Sequence, residues 1–302
     1  MLTIRKFGAI DIGSNAVRLL IANILERDNE LTLFRKSSLV RVPIRLGADV
    51  FSNNKISINN IKRLEDTMLA FHLIMKSHGV EQYKACATSA MREAENGQEV
   101  VNIINERSNI EIEIIDGEQE ATIIAATDIS NFIDTDKTYL YADVGGGSTE
   151  FSIIHQGIKK NSYSFKIGTV RLLNNLVDQS EWDLAKKWVS EAVAGYDRIE
   201  VIGSGGNINK IFKISGKPIG EPLTYFYLTS FYEDLKRYSY EDLIIDLGLN
   251  QDRADVILHA TRIYLSAMKW SQAKHIYVPK IGLSDGIIKS LYYETIIGKS
   301  LD

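Results

Sequence analysis

The chain has 302 residues, 45% apolar and 25% charged, with a formal net charge of −4. That length suits about two domains, each with its own core, and the composition is that of an ordinary soluble protein. The charge balance excludes a globally basic nucleic-acid binder, and no apolar run approaches the roughly 18 residues of a membrane span. One cysteine, Cys86, excludes a disulfide framework. With Met1-Leu2-Thr3 running straight into a strand pattern and no leader segment, the expected setting is reducing and cytoplasmic.

Taken in order, Phe7–Ile12, Val17–Leu25 and Leu31–Val40 read as three strands, joined at Gly13–Asn15 and at Arg27-Asp28-Asn29-Glu30. A polar insert, Phe51–Lys55, precedes a helix with Ser57 as N-cap. In it Ile58, Ile61, Leu64, Met68, Phe71 and Met75 recur at steps of three and four, and Gly79 stops it. Tyr83–Ala87 is the next strand, with Thr88-Ser89-Ala90-Met91-Arg92 at its end. A helix over about Gly97–Glu106 leads to an alternating strand, Ile110–Ile115. Asp116-Gly117-Glu118-Gln119-Glu120 then opens a helix to about Ile129, its acids favoured by the helix dipole. The segment Asn131–Lys137 separates two halves.

The second half repeats the plan. Tyr139–Asp143 and Glu150–His155 form a hairpin, followed by Tyr163–Lys166 and then IGTVRL, Ile167–Leu172. Ser180 and Asp183 suggest a capping box for a helix Glu181–Ala194. Ile199–Ile202 leads into Gly203-Ser204-Gly205-Gly206-Asn207 and another helix; a lone glycine junction of this kind is usually packing. Leu223–Leu228 begins a largely helical stretch that includes Asp252–Trp270. His275–Val278 is a last strand, and Ile281–Gly286 introduces a closing helix. The expected domains are 1–130 and 131–284, with the closing helix 285–302 completing the first. Strands alternating with helices after a meander predict an α/β fold with parallel strands. The Tyr-rich stretch Tyr225–Tyr240 serves either a homodimer surface or the core.

The most informative stretch is YLYADVGGGSTEFSI. A buried strand delivers Asp143 to a turn, Gly145-Gly146-Gly147-Ser148-Thr149, whose amides can converge on an anion and whose hydroxyls add donors. An aspartate beside such a cradle suits a Mg²⁺ held by one or two carboxylates and phosphate oxygens. A glycine turn by itself is more often a plain hairpin. A second copy, FGAIDIGSNAVRLLIANI, argues otherwise: Asp11-Ile12-Gly13-Ser14 matches Asp143-Val144-Gly145…Ser148 at an offset of 143 − 11 = 132 residues. That spacing fits a duplicated domain and predicts a phosphate-binding cleft between the copies.

Seven ordered motifs, FGAIDIGSNAVRLLI, ATSAMREAENG, IIDGEQEA, ADVGGGSTEFSI, IGTVRL, VIGSGGNINKI and IGLSDGII, resemble the exopolyphosphatase/guanosine pentaphosphate phosphohydrolase (Ppx/GppA) family from about Phe7 to Ile288. The resemblance implies two RNase H-like domains of the actin-like/sugar kinase/Hsp70 ATPase superfold, facing one cleft. The chain looks like the short, two-domain form, without the C-terminal helical extension of longer members. It implies an enzyme that hydrolyses phosphoanhydrides with Mg²⁺ or Mn²⁺, acting on inorganic polyphosphate or guanosine pentaphosphate.

Residue by residue, the resemblance implies Glu120 as the general base, with Glu118 as the alternative on the same turn. Gly13, Ser14, Asn15, Arg92, Gly145, Gly146, Gly147, Ser148, Thr149 and Arg171 would bind phosphate, the arginines through their bidentate forks. Asp143 would carry the metal, with Asp11 and Glu150 as partners. Arg18 stays open between solvation and phosphate binding. Two departures stand out: Ala16 where many relatives have serine, and Ser284 where a basic residue is frequent. The five histidines lack metal-ligand spacing, and neither a GxxxxGK[ST] loop nor a GxSxG elbow occurs. Two further classes compete with the hydrolase: a kinase of the same superfold, with Gly203–Asn207 as nucleotide loop, and a weakly catalytic polyphosphate or alarmone sensor.

Overall fold

The computed structural model describes residues 1–125, 127, 134 and 136–298. The expected helix end near Ile129, the 130/131 boundary and the last four residues of the closing segment lie outside them. Two compact units emerge, Met1–Thr127 with Leu283–Asp302, and Asp128–Gly282.

In the first unit, strands β1 (Leu2–Ile12), β2 (Val17–Arg27), β3 (Leu33–Val42), β4 (Gln82–Ala87) and β5 (Ile112–Ile114) form a sheet in the order β3-β2-β1-β4-β5. The first three are antiparallel, and β4 and β5 run parallel to β1. Helices α1 (Leu46–Asn53), α2 (Ile58–His78), α3 (Ser89–Glu93), α4 (Gly97–Ser108) and α5 (Gly117–Ala125) complete the chain order. The apolar run of β1 is buried because the strand is central and covered on both faces: Phe7, Ala9 and Ile10 are wholly inaccessible.

The second unit contains β6 (Thr138–Val144), β7 (Thr149–His155), β8 (Ile158–Phe165), β9 (Ile199–Ser204), β10 (Leu223–Thr224) and β11 (His275–Tyr277), in the order β10-β11-β9-β6-β7-β8. Its helices are α6 (Thr169–Leu173), α7 (Gln179–Ala192), α8 (Gly206–Ile214), α9 (Tyr225–Leu235), α10 (Tyr240–Ile245), α11 (Gln251–Ala254) and α12 (Ile257–Ser271). The run β8-β7-β6-β9-β11 repeats β3-β2-β1-β4-β5 strand for strand, with the same two antiparallel and two parallel pairings, and β10 adds an edge. Both sheets therefore have the RNase H-like order, the α/β class expected from the duplicated hairpins. The last helix, α13 (Leu283–Tyr292), packs on β1, β2, β4 and α5 of the first unit, and a π-helical turn, Tyr293–Ile297, follows it. No described helix is long and apolar enough to cross a membrane.

Local signals mostly act as expected. Ser57 Oγ accepts the Asn60 N–H (3.3 Å), and Gly79 closes α2 in the left-handed region, φ 68°. The α2 stripe keeps Leu64, Met68, Phe71 and Met75 buried and Ile61 half-buried against the same core, while Ile58 is 86% exposed. Three expectations change. The polar insert Phe51–Lys55 overlaps α1, which begins after Arg45 in a left-handed conformation. Helix α7 starts at Gln179 behind Asp178, so Ser180 lies inside the first turn rather than capping it. Asp252–Trp270 divides into α11 and α12, with Asp255 and Val256 between them.

Candidate active site

The two hairpin turns share one construction. Gly13 N–H donates to Ala16 O (3.2 Å), and Gly145 N–H donates to Ser148 O (2.9 Å). On the ladders Asp11 stands opposite Arg18, and Asp143 opposite Glu150. The structural counterpart of Ser148 is therefore Ala16, while Ser14 and Asn15 occupy the places of Gly146 and Gly147.

The likeness continues behind the turns. At the start of α1, Arg45 N–H donates to Asn15 O (3.1 Å) and Gly47 N–H to Ser14 O (2.8 Å). At the start of α6, Thr169 N–H donates to Gly145 O (3.0 Å) and Val170 N–H to Gly146 O (2.8 Å). Each turn is thus held from behind by the first amides of a helix. Gly168 makes this approach feasible, because a Cβ there would lie 2.3 Å from Gly146 O and 2.4 Å from Gly147 C.

Several predicted phosphate donors face inward. Ser14 is 2% exposed and shares a hydrogen bond with Ser89, Oγ to Oγ 2.9 Å. Thr149 is fully buried and its hydroxyl donates to Ile167 O. Arg171 is buried, with Nε–H donating to Gly147 O (2.7 Å), so at least that edge braces the turn. Ser148 is buried as well, whereas Gly13, Asn15 and Gly146 are half-buried and Gly145 is exposed. The main-chain rim of each turn is what the solvent sees.

The charges differ between the copies, and the difference is informative. Arg18 Nη1 lies 2.8 Å from Asp11 Oδ2, so the first turn carries a neutralised pair. At the same ladder position the second turn carries two acids, Asp143 and Glu150, on one face of an antiparallel pair. Residues so placed have Cβ atoms about 4.5–5.5 Å apart, a spacing at which two carboxylates can share one cation. Glu150 is 3% exposed, and its Oε1 accepts the Ser164 hydroxyl (2.7 Å), which fixes its direction. Among the described residues no three His, Cys, Asp or Glu side chains gather into a metal cage. Two hard carboxylates beside an anion cradle fit Mg²⁺ or Mn²⁺, which take few protein ligands and fill the rest with water and phosphate oxygens. Asp11, already paired with Arg18, fits that role less well.

Back in the first unit, Arg92 at the end of α3 donates through Nη1 to Ile115 O (2.6 Å) and lies 4.0 Å from Glu120 Oε2. The start of α5 is pinned by a reciprocal pair: Gln119 N–H donates to Asp116 Oδ1 (2.8 Å), and Asp116 N–H to Gln119 Oε1 (2.9 Å). Asp116 is a cap. Side chains two apart on a helix point to different faces, and here Glu120 turns inward, 7% exposed, beside Arg92. Glu118 is exposed and lines a separate cavity of about 340 Å³ with Lys84, Glu113 and Glu294.

Two residues beside these turns carry no sequence signal of their own. Arg45, half-buried with φ 63°, follows β3 and touches the first turn through its amide. Tyr264 reads as one more apolar position of α12, yet its hydroxyl donates to Ser204 O at the end of β9. Burial, and then the Asp143 charge, hold that phenol well above its ordinary pKa. Cys86, opposite Asp11 on β4, is buried, which pushes its thiol up to about 12 and makes it inert.

Two sheets of RNase H-like strand order, each closing its first hairpin in a turn held by the start of a helix, define the class of fold. Residues 30–294 match the Ppx/GppA phosphatase family, and the chain belongs to it. It is 37% identical over 196 residues to a bifunctional 3-dehydroquinate synthase/phosphatase of Fusobacterium nucleatum, covering 61% of this chain and 29% of that one. It is 29% identical to exopolyphosphatase 1 of Mycobacterium tuberculosis (49% and 42% covered). It is 23% identical to a guanosine-5′-triphosphate,3′-diphosphate pyrophosphatase of Aliivibrio fischeri (98% and 62%). The crystal structure of an exopolyphosphatase from Cytophaga hutchinsonii superposes with a TM-score of 0.82 at 23% identity, covering 98% of this chain and 99% of that one. The chain thus spans between about a third and two thirds of the curated relatives' length.

Proposed function

We propose that the protein is a divalent-cation-dependent phosphohydrolase that releases orthophosphate from the end of inorganic polyphosphate. The carrying observation is the charge asymmetry of the duplicated turns: Asp143 faces Glu150 where Asp11 faces Arg18. An anion cradle that carries its own paired acids suits a cation bridging protein to phosphate, whereas a cradle with an internal ion pair suits phosphate alone.

Each part of the chemistry has an owner. The turns at Gly13–Asn15 and Gly145–Gly147 present the rims that face phosphate oxygens, with the Gly13 and Gly145 amides closing the turns and Ser14, Ser148, Thr149 and Arg171 shaping them. A divalent cation at Asp143 and Glu150, when bound, supplies neutralisation of phosphate charge. Glu120 accepts a proton from the attacking water, and Arg92 orients that carboxylate while its guanidinium attracts the terminal phosphate. Among relatives, a guanosine-5′-triphosphate,3′-diphosphate pyrophosphatase aligns over 98% of this chain, so hydrolysis of the 5′ γ-phosphate of guanosine pentaphosphate is the second reading. Both use one set of groups and differ in the leaving group.

Orthophosphate release from long-chain polyphosphate, guanosine pentaphosphate and ATP, with and without Mg²⁺, tests the proposal. Cation-dependent release from polyphosphate is expected to dominate. Transfer from ATP to a small acceptor overturns it in favour of a kinase, and binding without turnover on any substrate overturns it in favour of a sensor.

A further inference from the structure

We propose that Tyr264 is a positioning residue for the cation-binding carboxylates: its phenol ties α12 to the end of β9 at the ladder partner of Asp143. This rests on the reading that Asp143 and Glu150 hold the cation.

Tyr264 is the largest fully buried side chain, in the middle of α12 among Ala260, Ile263, Ala267 and Met268. A phenylalanine would satisfy that apolar setting; the hydroxyl therefore needs a reason. It donates to Ser204 O, the last residue of β9, whose end lies beside that of β6. Ser204 is the ladder partner of Asp143, so the hydroxyl fixes the rung that presents the acid.

The surrounding space is equally tight. Gly205 has φ 115°, and a Cβ built on it would lie 2.9 Å from Val144 O, 3.2 Å from Tyr264 Oη and 3.5 Å from Asp143 Oδ1. Phenol, strand-end carbonyl and carboxylate thus converge on one glycine. Ser204 Oγ in turn donates to Ile281 O (3.0 Å), anchoring the end of β9 from its other side. In the first unit the corresponding strand ends are tied by main chain, Thr88 N–H to Ile12 O (3.1 Å). There the neighbouring acid is already neutralised by Arg18. In the second unit the proposed ligands are two carboxylates on one ladder rung, and a neutral side-chain tie steadies that rung without adding charge. Groups that orient metal ligands commonly matter about tenfold or more in metal affinity.

The test is Tyr264→Phe, read by calorimetric titration with Mg²⁺ alone and by the Mg²⁺ midpoint of activity. Roughly tenfold weaker Mg²⁺ binding is expected, with kcat at saturating Mg²⁺ falling much less. Tyr139→Phe is the control for loss of a buried phenol: Tyr139 sits at the far end of β6, and its oxygen accepts the Asp134 N–H (2.8 Å). That variant should melt earlier yet bind Mg²⁺ like wild type. Unchanged Mg²⁺ affinity in Tyr264→Phe, with binding lost in Asp143→Asn, overturns the positioning role and spares the cation site. Wild-type Mg²⁺ binding in Asp143→Asn overturns the underlying reading instead. Should Tyr264→Phe not fold, Gly205→Ala crowds the phenol itself, with a Cβ 3.2 Å from Tyr264 Oη and 2.9 Å from Val144 O, and an unshifted Mg²⁺ titration there counts against the proposal.

Discussion

At the scale of single residues, the most decisive contrast is between two glutamates two positions apart. Glu120 is buried beside Arg92, and Glu118 is exposed on another face of α5. Glu120→Gln keeps the shape but cannot take a proton, so turnover should fall about 10²–10⁴-fold while phosphate binding by calorimetry stays near wild type. Glu118→Gln should keep most of its activity. The reverse result would place the base on Glu118. Arg171 invites a different substitution. Its Nε–H holds Gly147 O in a buried setting, and a lysine has no planar fork with which to repeat that bond. Arg171→Lys should therefore fail to restore KM and should lower stability by about 1–3 kcal/mol, the cost of leaving a buried acceptor unmatched. A variant that melts like wild type with unaltered KM would remove Arg171 from the turn.

At the scale of elements, the duplicated strand–turn–strand was legible because strand, acid, glycine and strand recur in one order. What stayed hidden was anything set by a distant partner. Ser14 and Ser148 look equivalent in sequence, yet ladder register puts Ala16 opposite Ser148's role, and Ser89 claims the Ser14 hydroxyl from 75 residues away. The α7 start was misjudged for a similar reason. Ser180-x-x-Asp183 satisfies the capping pattern, but the chain enters the helix two residues earlier, and Gln179 takes Asp183 as its partner (3.0 Å). Gly168 was legible only as part of a motif, although its need is steric. With any Cβ pressing on Gly146 O and Gly147 C, Gly168→Ala must displace either α6 or the turn. Since both contacts are backbone, relief is costly. We expect KM for polyphosphate to rise at least tenfold, and stability to drop by about 1–3 kcal/mol, as measured by denaturant titration. Gly79→Ala is the comparison: nothing lies within 4 Å of its Cβ position, so its cost comes only from φ and should leave KM alone.

At the scale of the molecule, the closing helix belongs by contact to the sheet that opens the chain. Leu283, Ile287, Ile288, Leu291 and Tyr292 of α13 are buried, and Tyr292 Oη reaches Glu26 Oε1 (2.7 Å) and Thr32 Oγ1 (3.4 Å) in the first unit. Lys36 and Asp285 add an ion pair, 2.8 Å, at the same seam. The expectation that this helix completes the first unit could not come from apolar spacing alone, because periodicity announces a buried face and carries no address. A discontinuous unit has a kinetic consequence. Its core closes only after the residues that form the other unit have been made, so its contacts have high sequence separation and form late. Ile287, inaccessible to solvent at the centre of α13, is the residue with which to test this. Ile287→Ala should destabilise the first unit by about 2–5 kcal/mol through the lost transfer energy and the cavity left behind. Hydrogen exchange should then accelerate in β1, β2 and β4 well before β6, β7 and β9 respond, although the substitution lies closer in sequence to β11 than to any strand of the first unit. Faster exchange in the second unit first would show that α13 stabilises the sheet nearest to it in sequence, and the assignment of the closing helix to the first unit would fall.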